Sequence, residues 1–199
     1  MRWIPMAVCV AALLLTGNAP AETRAQAAED KAEVLEEKAA QDQPVAGRAE
    51  PITRGEAQAV DPAGEAPLDD AITCLARSIY WEAKGEPPQE MAAVANVVMN
   101  RLGSPDFPDT VCAVVKQGSE TGSCQFSWWC DGRPDEVVEA ERYDLATEIA
   151  RKALNGQLQD RTGGALYFHD RNVSPDWART YTRTAQTRRF LFYRPKSTS

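Results

Sequence analysis

Residues 70–102 constrain the fold more than any other stretch, because their apolar positions recur with the period of two helices. One face of each helix is apolar, with Ile72, Leu75, Ala76, Ile79 and Ala83 on the first and Met91, Val94, Ala95, Val98 and Leu102 on the second. Between them, Gly85 suits the left-handed position that ends many helices, and Pro88 suits the first turn of the next. The pattern predicts two helices joined by a tight corner, with Asp69 or Asp70 as the first N-cap.

Glu82 falls in the last turn of the first predicted helix. The carboxyl end of a helix carries partial negative charge, and the apolar bulk of Ile79, Tyr80 and Trp81 disfavours the ionised form of a nearby carboxyl group. Both effects predict a raised pKa, so that Glu82 can hold a proton near neutral pH and act as a general acid. The alternative is a solvated carboxylate at a helix end with no catalytic role.

The remaining sequence up to residue 199 predicts shorter elements. Helices are expected over residues 109–116 and 134–154, and a strand is expected over 165–169. A hairpin is expected from residues 180–185 and 189–194. This order of elements predicts an α+β fold in which helix predominates.

Five segments in consistent order resemble the SleB/CwlJ-type cell-wall hydrolases, the spore-cortex-lytic family, whose signature is roughly IYxEARGE followed by a helix ending in VxNR. They are SIYWEAKGEPPQEMAAVANVVMNR, FPDTVCAVV, CQFSWWCDG, ALYFHDRNVSPDWA and FLFY, which together cover about residues 70–195. The resemblance implies a lysozyme-like α+β domain with a small antiparallel sheet. Two departures are Lys84, where arginine is usual, and residues 187–189, where a Gly-Asn-His run often precedes the last strand.

The resemblance implies an enzyme that cleaves peptidoglycan at the β-1,4 bond between N-acetylmuramic acid and N-acetylglucosamine. This reaction needs an acid that protonates the glycosidic oxygen, and Glu82 is assigned that role. With one clear carboxylate, the expected mechanism resembles that of lytic transglycosylases, in which the muramic 6-hydroxyl attacks the anomeric carbon and Glu82 acts as acid and then as base. The expected substrate-binding residues are Glu86, Tyr80, Asn96, Gln125, Phe126, Tyr167, His169 and Trp177.

Other activities stay open on the sequence. Hydrolysis needs a second carboxylate, and Glu86 is the first candidate although Gly85 breaks its helical alignment with Glu82. A non-catalytic wall-binding module and a murein amidase are further alternatives, but the single histidine, His169, cannot build the usual zinc site of an amidase. No metal, organic cofactor or nucleic-acid partner is expected, and the protein is expected to act on glycan strands as a monomer.

The first 69 residues predict export rather than catalysis. Residues 1–21 combine Arg2, an apolar core and an Ala-Pro-Ala cleavage site, which is typical of a signal peptide. Residues 22–69 lack aromatic side chains, and their excess of acidic residues accounts for the net charge of −7 of the chain, which predicts a disordered tether. The catalytic domain is placed at residues 70–199, in the periplasm or outside the cell. No stable membrane insertion is expected after cleavage, and a retained anchor is the alternative.

Four cysteines follow the predicted signal peptide, and an even number in an exported domain predicts disulfides. Four cysteines allow three pairings. We favour Cys112 with Cys124 and Cys74 with Cys130, which would hold the QFSWW loop against the helix of Glu82. A zinc site is the alternative, but the tight Cys-x-x-Cys pairs of such sites are missing.

Overall fold

The computed structural model describes residues 20–41, 50–122 and 124–196, where helices precede a small sheet. The helices are α1 (Ala21–Gln41), α2 (Arg54–Val60), α3 (Ala71–Ala83), α4 (Pro88–Leu102), α5 (Val111–Lys116) and α6 (Ala140–Leu154). The strands are β1 (Tyr167–Asp170), β2 (Thr182–Gln186) and β3 (Phe190–Arg194), and short 3-10 turns lie at Ser119–Thr121, Ser127–Trp129 and Asp176–Arg179. The predicted α+β class, mainly helical with a small antiparallel sheet, is confirmed.

The helical corner predicted from residues 70–102 is confirmed in α3 and α4. Asp70 is the N-cap of α3, and its carboxylate accepts a hydrogen bond from the backbone N–H of Thr73 at 2.8 Å. Gly85 follows α3 with a φ of 82°, a left-handed conformation that a side chain would strain. Pro88 then opens α4. The corner fixes where α3 ends, and Glu82 lies in its last turn.

Helix α3 is the central helix of the domain rather than an amphipathic surface helix. Its predicted apolar face is buried, and Ile72, Leu75 and Ile79 are at most 1% exposed. Its other face is buried as well, because α1, α4, α5 and α6 all pack around it. Arg77 on that second face is therefore a buried charge that needs a partner.

Asp61, at the end of α2, supplies that partner. Its Oδ2 accepts hydrogen bonds from Arg77 Nε at 3.1 Å and from the Tyr143 hydroxyl at 2.6 Å, and its Oδ1 accepts from two backbone N–H groups of the following loop. The three side chains are buried, and this burial, with the bond to Asp61, raises the pKa of Tyr143. The network joins the segment before α3 to both α3 and α6.

The prediction that residues 22–69 form a disordered tether is wrong for the part of this segment that the structure describes. Helices α1 and α2 pack against each other and against the core, and they and the segment between them bury Ala28, Ala32, Ile52 and Ala57. The amino-acid composition did not predict this packing, because alanine contributes little to the hydrophobicity of a segment. The small side chain of alanine nevertheless lets a helix pack closely against a core formed by the rest of the chain.

Polar contacts hold the same segment in place. The side chain of Asn155 donates to the carbonyl of Ile52 and accepts from its backbone N–H, each at 2.8 Å. Lys31 of α1 pairs with Glu56 of α2 at 2.9 Å. In the described ranges, no helix combines the length and the apolar character needed to cross a membrane. Residues 1–19 lie outside those ranges, so the signal peptide stays a prediction.

The helix predicted over residues 134–154 begins later, at Ala140. The preceding residues are irregular because side chains of α3 bind their backbone. The carbonyl of Asp135 accepts from Arg77 Nη1 at 2.7 Å and from Trp81 Nε1 at 3.2 Å. The Tyr80 hydroxyl accepts from the backbone N–H groups of residues 138 and 139. Tertiary hydrogen bonds therefore replace the first turn and a half of the predicted helix.

The sheet is antiparallel in the order β1-β3-β2, with β3 in the centre. Tyr167 pairs with Tyr193 and Asp170 with Phe190, so the ends of β1 and β3 are aligned. The predicted strand and hairpin are confirmed to within two residues at each end. Strand β1 contributes Tyr167, Phe168 and His169 to the candidate site described below.

All four predicted cysteines form disulfides, but the favoured pairing is wrong. Cys74 of α3 pairs with Cys112 of α5, and Cys124 pairs with Cys130. The first pair forms because α5 packs directly on α3, which brings the two Cα atoms to 5.2 Å. The second pair closes the QFSWW loop on itself rather than joining it to α3.

Candidate active site

Glu82 lies where two cavities of the surface meet. It lines one cavity of about 450 Å³ and a second of about 490 Å³, and Ser127 and Arg189 line both as well. Burial raises the pKa of the Glu82 carboxyl to about 7, against the opposing effects of Arg189, Arg101 and the backbone N–H of Ser127. A carboxyl group with this pKa is present in both protonation states near neutral pH, which suits a group that donates and then accepts a proton.

The first cavity, which we call the aromatic cavity, combines Glu82 with the side chains of the sheet. Its wall includes Arg101, Gln125, Tyr167, Phe168, His169, Trp177 and Tyr181. The ring centroids of Tyr167 and Tyr181 are 4.9 Å apart, and those of Tyr167 and Trp177 are 5.6 Å apart. Partly exposed aromatic rings beside a carboxyl group can stack on the apolar faces of sugar rings while polar groups bind the hydroxyls.

His169 is held in a fixed orientation in that wall. Its ring stacks on Tyr193 with centroids 5.2 Å apart, and its Nε2 lies 3.2 Å from the Tyr193 hydroxyl. Its Nδ1 lies 2.8 Å from the carbonyl oxygen of Asp170. The contact with a carbonyl requires a proton on Nδ1, so the neutral ring has Nε2 as its acceptor.

The second cavity, which we call the outer cavity, shares Glu82, Ser127 and Arg189 with the aromatic cavity, and we call the two cavities together the groove. Trp81, Trp128, Asp131, Arg133 and Asp135 form its wall together with the shared residues. Its mixture of indole rings and charged side chains differs from the tyrosine-rich wall of the aromatic cavity. A polymer chain can therefore pass Glu82 with units bound on both sides.

The QFSWW loop positions Ser127 against Glu82. Phe126 and Trp128 are buried and fix the loop to the core, and the backbone N–H of Gln125 donates to the carbonyl of Gln117 at 3.0 Å. The Cys124–Cys130 disulfide closes the loop, and a 3-10 turn begins at Ser127. The alternation of buried rings and exposed polar residues explains why Gln125 and Ser127 face the cavity.

Glu86 does not share either cavity with Glu82. It lies in a separate, charged cavity where Arg188 Nη2 donates to its Oε2 at 2.8 Å and Arg189 Nη1 lies 3.5 Å from its Oε1. The hydrogen bond from Arg188 lowers the pKa of Glu86. Arg189 also pairs with Asp170 at 3.0 Å, so two carboxylates hold this arginine beside Glu82. These ion pairs join the corner after α3 to the turn between β2 and β3.

Three other predicted binding residues are buried away from the groove. Tyr80 is fully buried, and its hydroxyl donates to Glu139 at 2.6 Å. Asn96 is 4% exposed and accepts from the backbone N–H of Arg161, and Phe126 packs in the core. These side chains pack in the core or join elements of the fold. Gln125, Tyr167, His169 and Trp177 do lie in the aromatic cavity with Glu82, as expected.

The sequence interpretation missed Arg101, Ser127, Tyr181 and Arg189 as site residues. Arg101 closes the first matched motif and Ser127 lies inside the QFSWW segment, so the motifs carried a signal for both. Arg189 gave none, because it lies where the family pattern is not followed. Among the residues that the structure describes, no group of three or more histidine, cysteine or acidic side chains is arranged to hold a metal ion.

Comparisons with known proteins found a matching family and similar enzymes. A family model described as Cell Wall Hydrolase matches residues 85–193. The matched range begins three residues after Glu82. The spore cortex-lytic enzyme of Halalkalibacterium halodurans is 38% identical over 114 residues, or 55% of this chain and 29% of that protein. The enzyme of the same name from Oceanobacillus iheyensis is 34% identical over 122 residues, or 61% of this chain and 40% of that protein. The chain thus spans less than half the length of these relatives.

Among solved structures, the catalytic domain of the germination-specific lytic transglycosylase SleB from Bacillus anthracis is similar to this chain. The identity is 27% and the TM-score is 0.46, over 66% of this chain and 98% of that domain.

Proposed function

Because the chain belongs to the cell wall hydrolase family, we propose that it cleaves the glycan strands of peptidoglycan at the β-1,4 bond between N-acetylmuramic acid and N-acetylglucosamine. The observation that carries this proposal is the Glu82 carboxyl, with a pKa of about 7, at the junction of two cavities. The relatives are named for lysis of the spore cortex, which is a peptidoglycan layer. Since such substrates lie outside the cytoplasm, we place the protein in the periplasm or outside the cell.

In the first step, protonated Glu82 gives its proton to the glycosidic oxygen. The bond between that oxygen and the anomeric carbon of the muramic residue breaks, and N-acetylglucosamine leaves with the proton on its hydroxyl. Positive charge develops on the muramic ring, and Glu82 becomes a carboxylate. Arg101, Arg189 and the backbone N–H of Ser127 all favour that charged form, so they stabilise Glu82 after it has donated its proton.

In the second step, the Glu82 carboxylate takes the proton of the muramic 6-hydroxyl. The oxygen of this hydroxyl bonds to the anomeric carbon and closes a 1,6-anhydro ring. Glu82 is again protonated, and no water is consumed. The aromatic cavity supports this step because rings such as Tyr167 and Trp177 can hold the reacting sugar and limit the access of water.

Hydrolysis is the second candidate, and the outer cavity favours it in one respect. Asp131 and Asp135 line that cavity together with Glu82, so a carboxylate is available near the groove to activate a water molecule. Glu86, the second carboxylate expected from the sequence, is not suited to this role because it is ion-paired in another cavity.

The proposal is tested by incubating purified peptidoglycan with the protein and measuring the soluble glycan that it releases. Glu82→Gln should abolish release, because the amide keeps the shape of the side chain and cannot donate a carboxyl proton. Glu141→Gln, on the exposed first turn of α6, makes the same substitution outside the groove and should leave release unchanged. Release of peptides with intact glycan would instead identify an amidase, and no release by the unaltered protein would favour a binding module.

A further inference from the structure

Arg101, on the last turn of α4, is a buried group in the wall of the aromatic cavity with unused hydrogen-bonding capacity. Its side chain donates from Nε to the carbonyl of Leu166 at 2.7 Å and from Nη2 to Oε1 of Gln125 at 3.3 Å. Arg101 is 2% exposed, and its Nη1 has no acceptor among the described residues. A buried donor without an acceptor is costly, so a ligand atom that accepts from it would stabilise the bound state.

The positive charge of Arg101 is also uncompensated by an ion pair within the described part of the chain. Arg189, which lines the same cavity, is held by Asp170 and Glu86, whereas no carboxylate oxygen lies within 4 Å of Arg101. The rings of Phe107, Phe126 and Tyr167 surround its guanidinium, with centroids 5.0 to 5.4 Å from Cζ. Aromatic rings stabilise a cation without neutralising it.

Glu82 cannot serve as the permanent counter-ion. It shares the cavity with Arg101, but it must be neutral when it begins the acid step. A negative charge on the substrate would compensate Arg101 at that stage. Gln125 also favours an anionic ligand. Its side-chain oxygen accepts a hydrogen bond from Arg101, so its amide nitrogen can serve as a second donor at the cavity wall.

We propose that Arg101 binds the free lactyl carboxylate of an N-acetylmuramic acid residue from which the peptide has been removed. This inference rests on the proposed function, since it concerns the glycan bound in the same groove. The lactyl carboxyl is the ionisable group of the glycan strand, and it is charged only where no peptide is joined to it by an amide bond. An amide hydrolase that removes the peptide would therefore supply the glycan that this enzyme binds most tightly.

The test compares three tetrasaccharides as ligands for the full chain carrying Glu82→Gln, which prevents cleavage, by isothermal titration calorimetry. The first ligand alternates N-acetylglucosamine with N-acetylmuramic acid and has free lactyl carboxylates. The second carries the same lactyl groups as neutral alaninamide derivatives, and the third is chitotetraose, which lacks them. The free carboxylate should bind about tenfold more tightly than either neutral ligand, as expected for a charge-assisted hydrogen bond.

Adding Arg101→Met should remove this preference, because methionine fills similar space without charge or N–H groups. Arg188→Met is the matched control, since it removes a positive charge from a side chain that is 73% exposed and outside the aromatic cavity, and it should keep the preference. Should Arg101→Met fail to fold, Arg101→Gln, which keeps a polar end without the charge, is the second variant and should lose the preference as well.

Equal binding of the free carboxylate and the alaninamide ligand would overturn the assignment while leaving the proposed function intact. A preference that survives in folded Arg101→Met would overturn it as well. If no glycan binds and the unaltered protein releases no soluble glycan, the proposed function fails, and this inference fails with it.

Discussion

Glu82 and Glu86 lie on either side of one corner, four residues apart, and the structure gives them opposite electrostatic properties. Burial raises the pKa of Glu82 to about 7, whereas the hydrogen bond from Arg188 lowers the pKa of Glu86. Glu82 has no ion-pair partner within 4 Å in the described residues, and Glu86 has two. The surroundings brought by distant segments, and not the local motif alone, therefore decide which of the two carboxylates can hold a proton.

The largest expected effect comes from exchanging each carboxyl for an amide. Glu82→Gln should lower the rate of glycan cleavage by about a thousandfold, within the range of general acid catalysis. Glu86→Gln should lower it by about tenfold or less, because it only loosens Arg188 and Arg189. Rates of dye release from labelled peptidoglycan measure both, with circular dichroism as the folding control. A larger loss in Glu86→Gln than in Glu82→Gln would reverse the assignment.

The pH dependence of the rate should follow Glu82 and not Glu86. Cleavage requires the protonated form of Glu82, which is lost as pH rises through about 7. The rate should therefore fall about tenfold per pH unit above that value. Initial rates between pH 5 and 9 on a soluble glycan measure the profile. A rate that stays constant up to pH 9 would contradict the acid role.

The free energy of unfolding should depend on pH because the Glu82 carboxyl is buried. Its pKa is about 7 in the folded protein against 4.5 for an unperturbed glutamate, so the free energy of unfolding is highest when the carboxyl is protonated and falls as pH rises from 4.5 to 7. Well above pH 7 the cost is about 3 kcal/mol. Glu82→Gln, which never ionises, should match the unaltered protein at pH 4 and exceed its free energy of unfolding at pH 8. Denaturant titrations at both pH values measure the difference in free energy of unfolding between the variant and the unaltered protein. The same difference at pH 4 and pH 8 would contradict the burial argument.

The smallest expected effect concerns the loop that contacts Glu82. In the unaltered protein, the hydrogen bond from the backbone N–H of Ser127 lowers the pKa of Glu82. Replacing Cys124 and Cys130 by serine should free this loop and weaken that hydrogen bond. The pKa of Glu82 should therefore rise, with a several-fold loss of activity, while that of Glu86 stays the same. Carboxyl ¹³C chemical shifts of labelled glutamate measure both pKa values.

The other disulfide provides the control for that loop experiment. Replacing Cys74 and Cys112 by serine should lower the free energy of unfolding by about 2–4 kcal/mol, because the bond joins two packed helices, without moving the pKa of Glu82. An equal pKa change in both double variants would show that the QFSWW loop has no special influence on the site.

The sequence predicted the elements whose stabilising contacts are local. Helical periodicity, the Asp70 cap, Gly85 and Pro88 each act within a few residues, so the α3–α4 corner was predictable. The raised pKa of Glu82 was predicted as well and burial is its cause, but distant segments such as the QFSWW loop and β1 line the cavities around it. The position of the strands followed from their aromatic and β-branched residues.

The remaining features depend on which distant segments meet. Tyr80 and Phe126 are aromatic residues in matched motifs, and nothing local separates a buried ring from one that lines a groove. The partners of Glu86 come from a turn about a hundred residues later, and the pairing of Cys74 with Cys112 depends on how α5 docks. Helix α1 is ordered because it packs against a core formed by other segments, and its own composition does not reveal that core.

Mass spectrometry of the soluble products from purified peptidoglycan distinguishes ring closure by the muramic 6-hydroxyl from attack by water. If Glu82 acts alone as acid and then base, the muramic ends are 1,6-anhydro sugars, lighter than reducing ends by one water. Reducing muramic ends would contradict this account and show that a water molecule attacks instead, which would make Asp131 and Asp135 the carboxylates to substitute next.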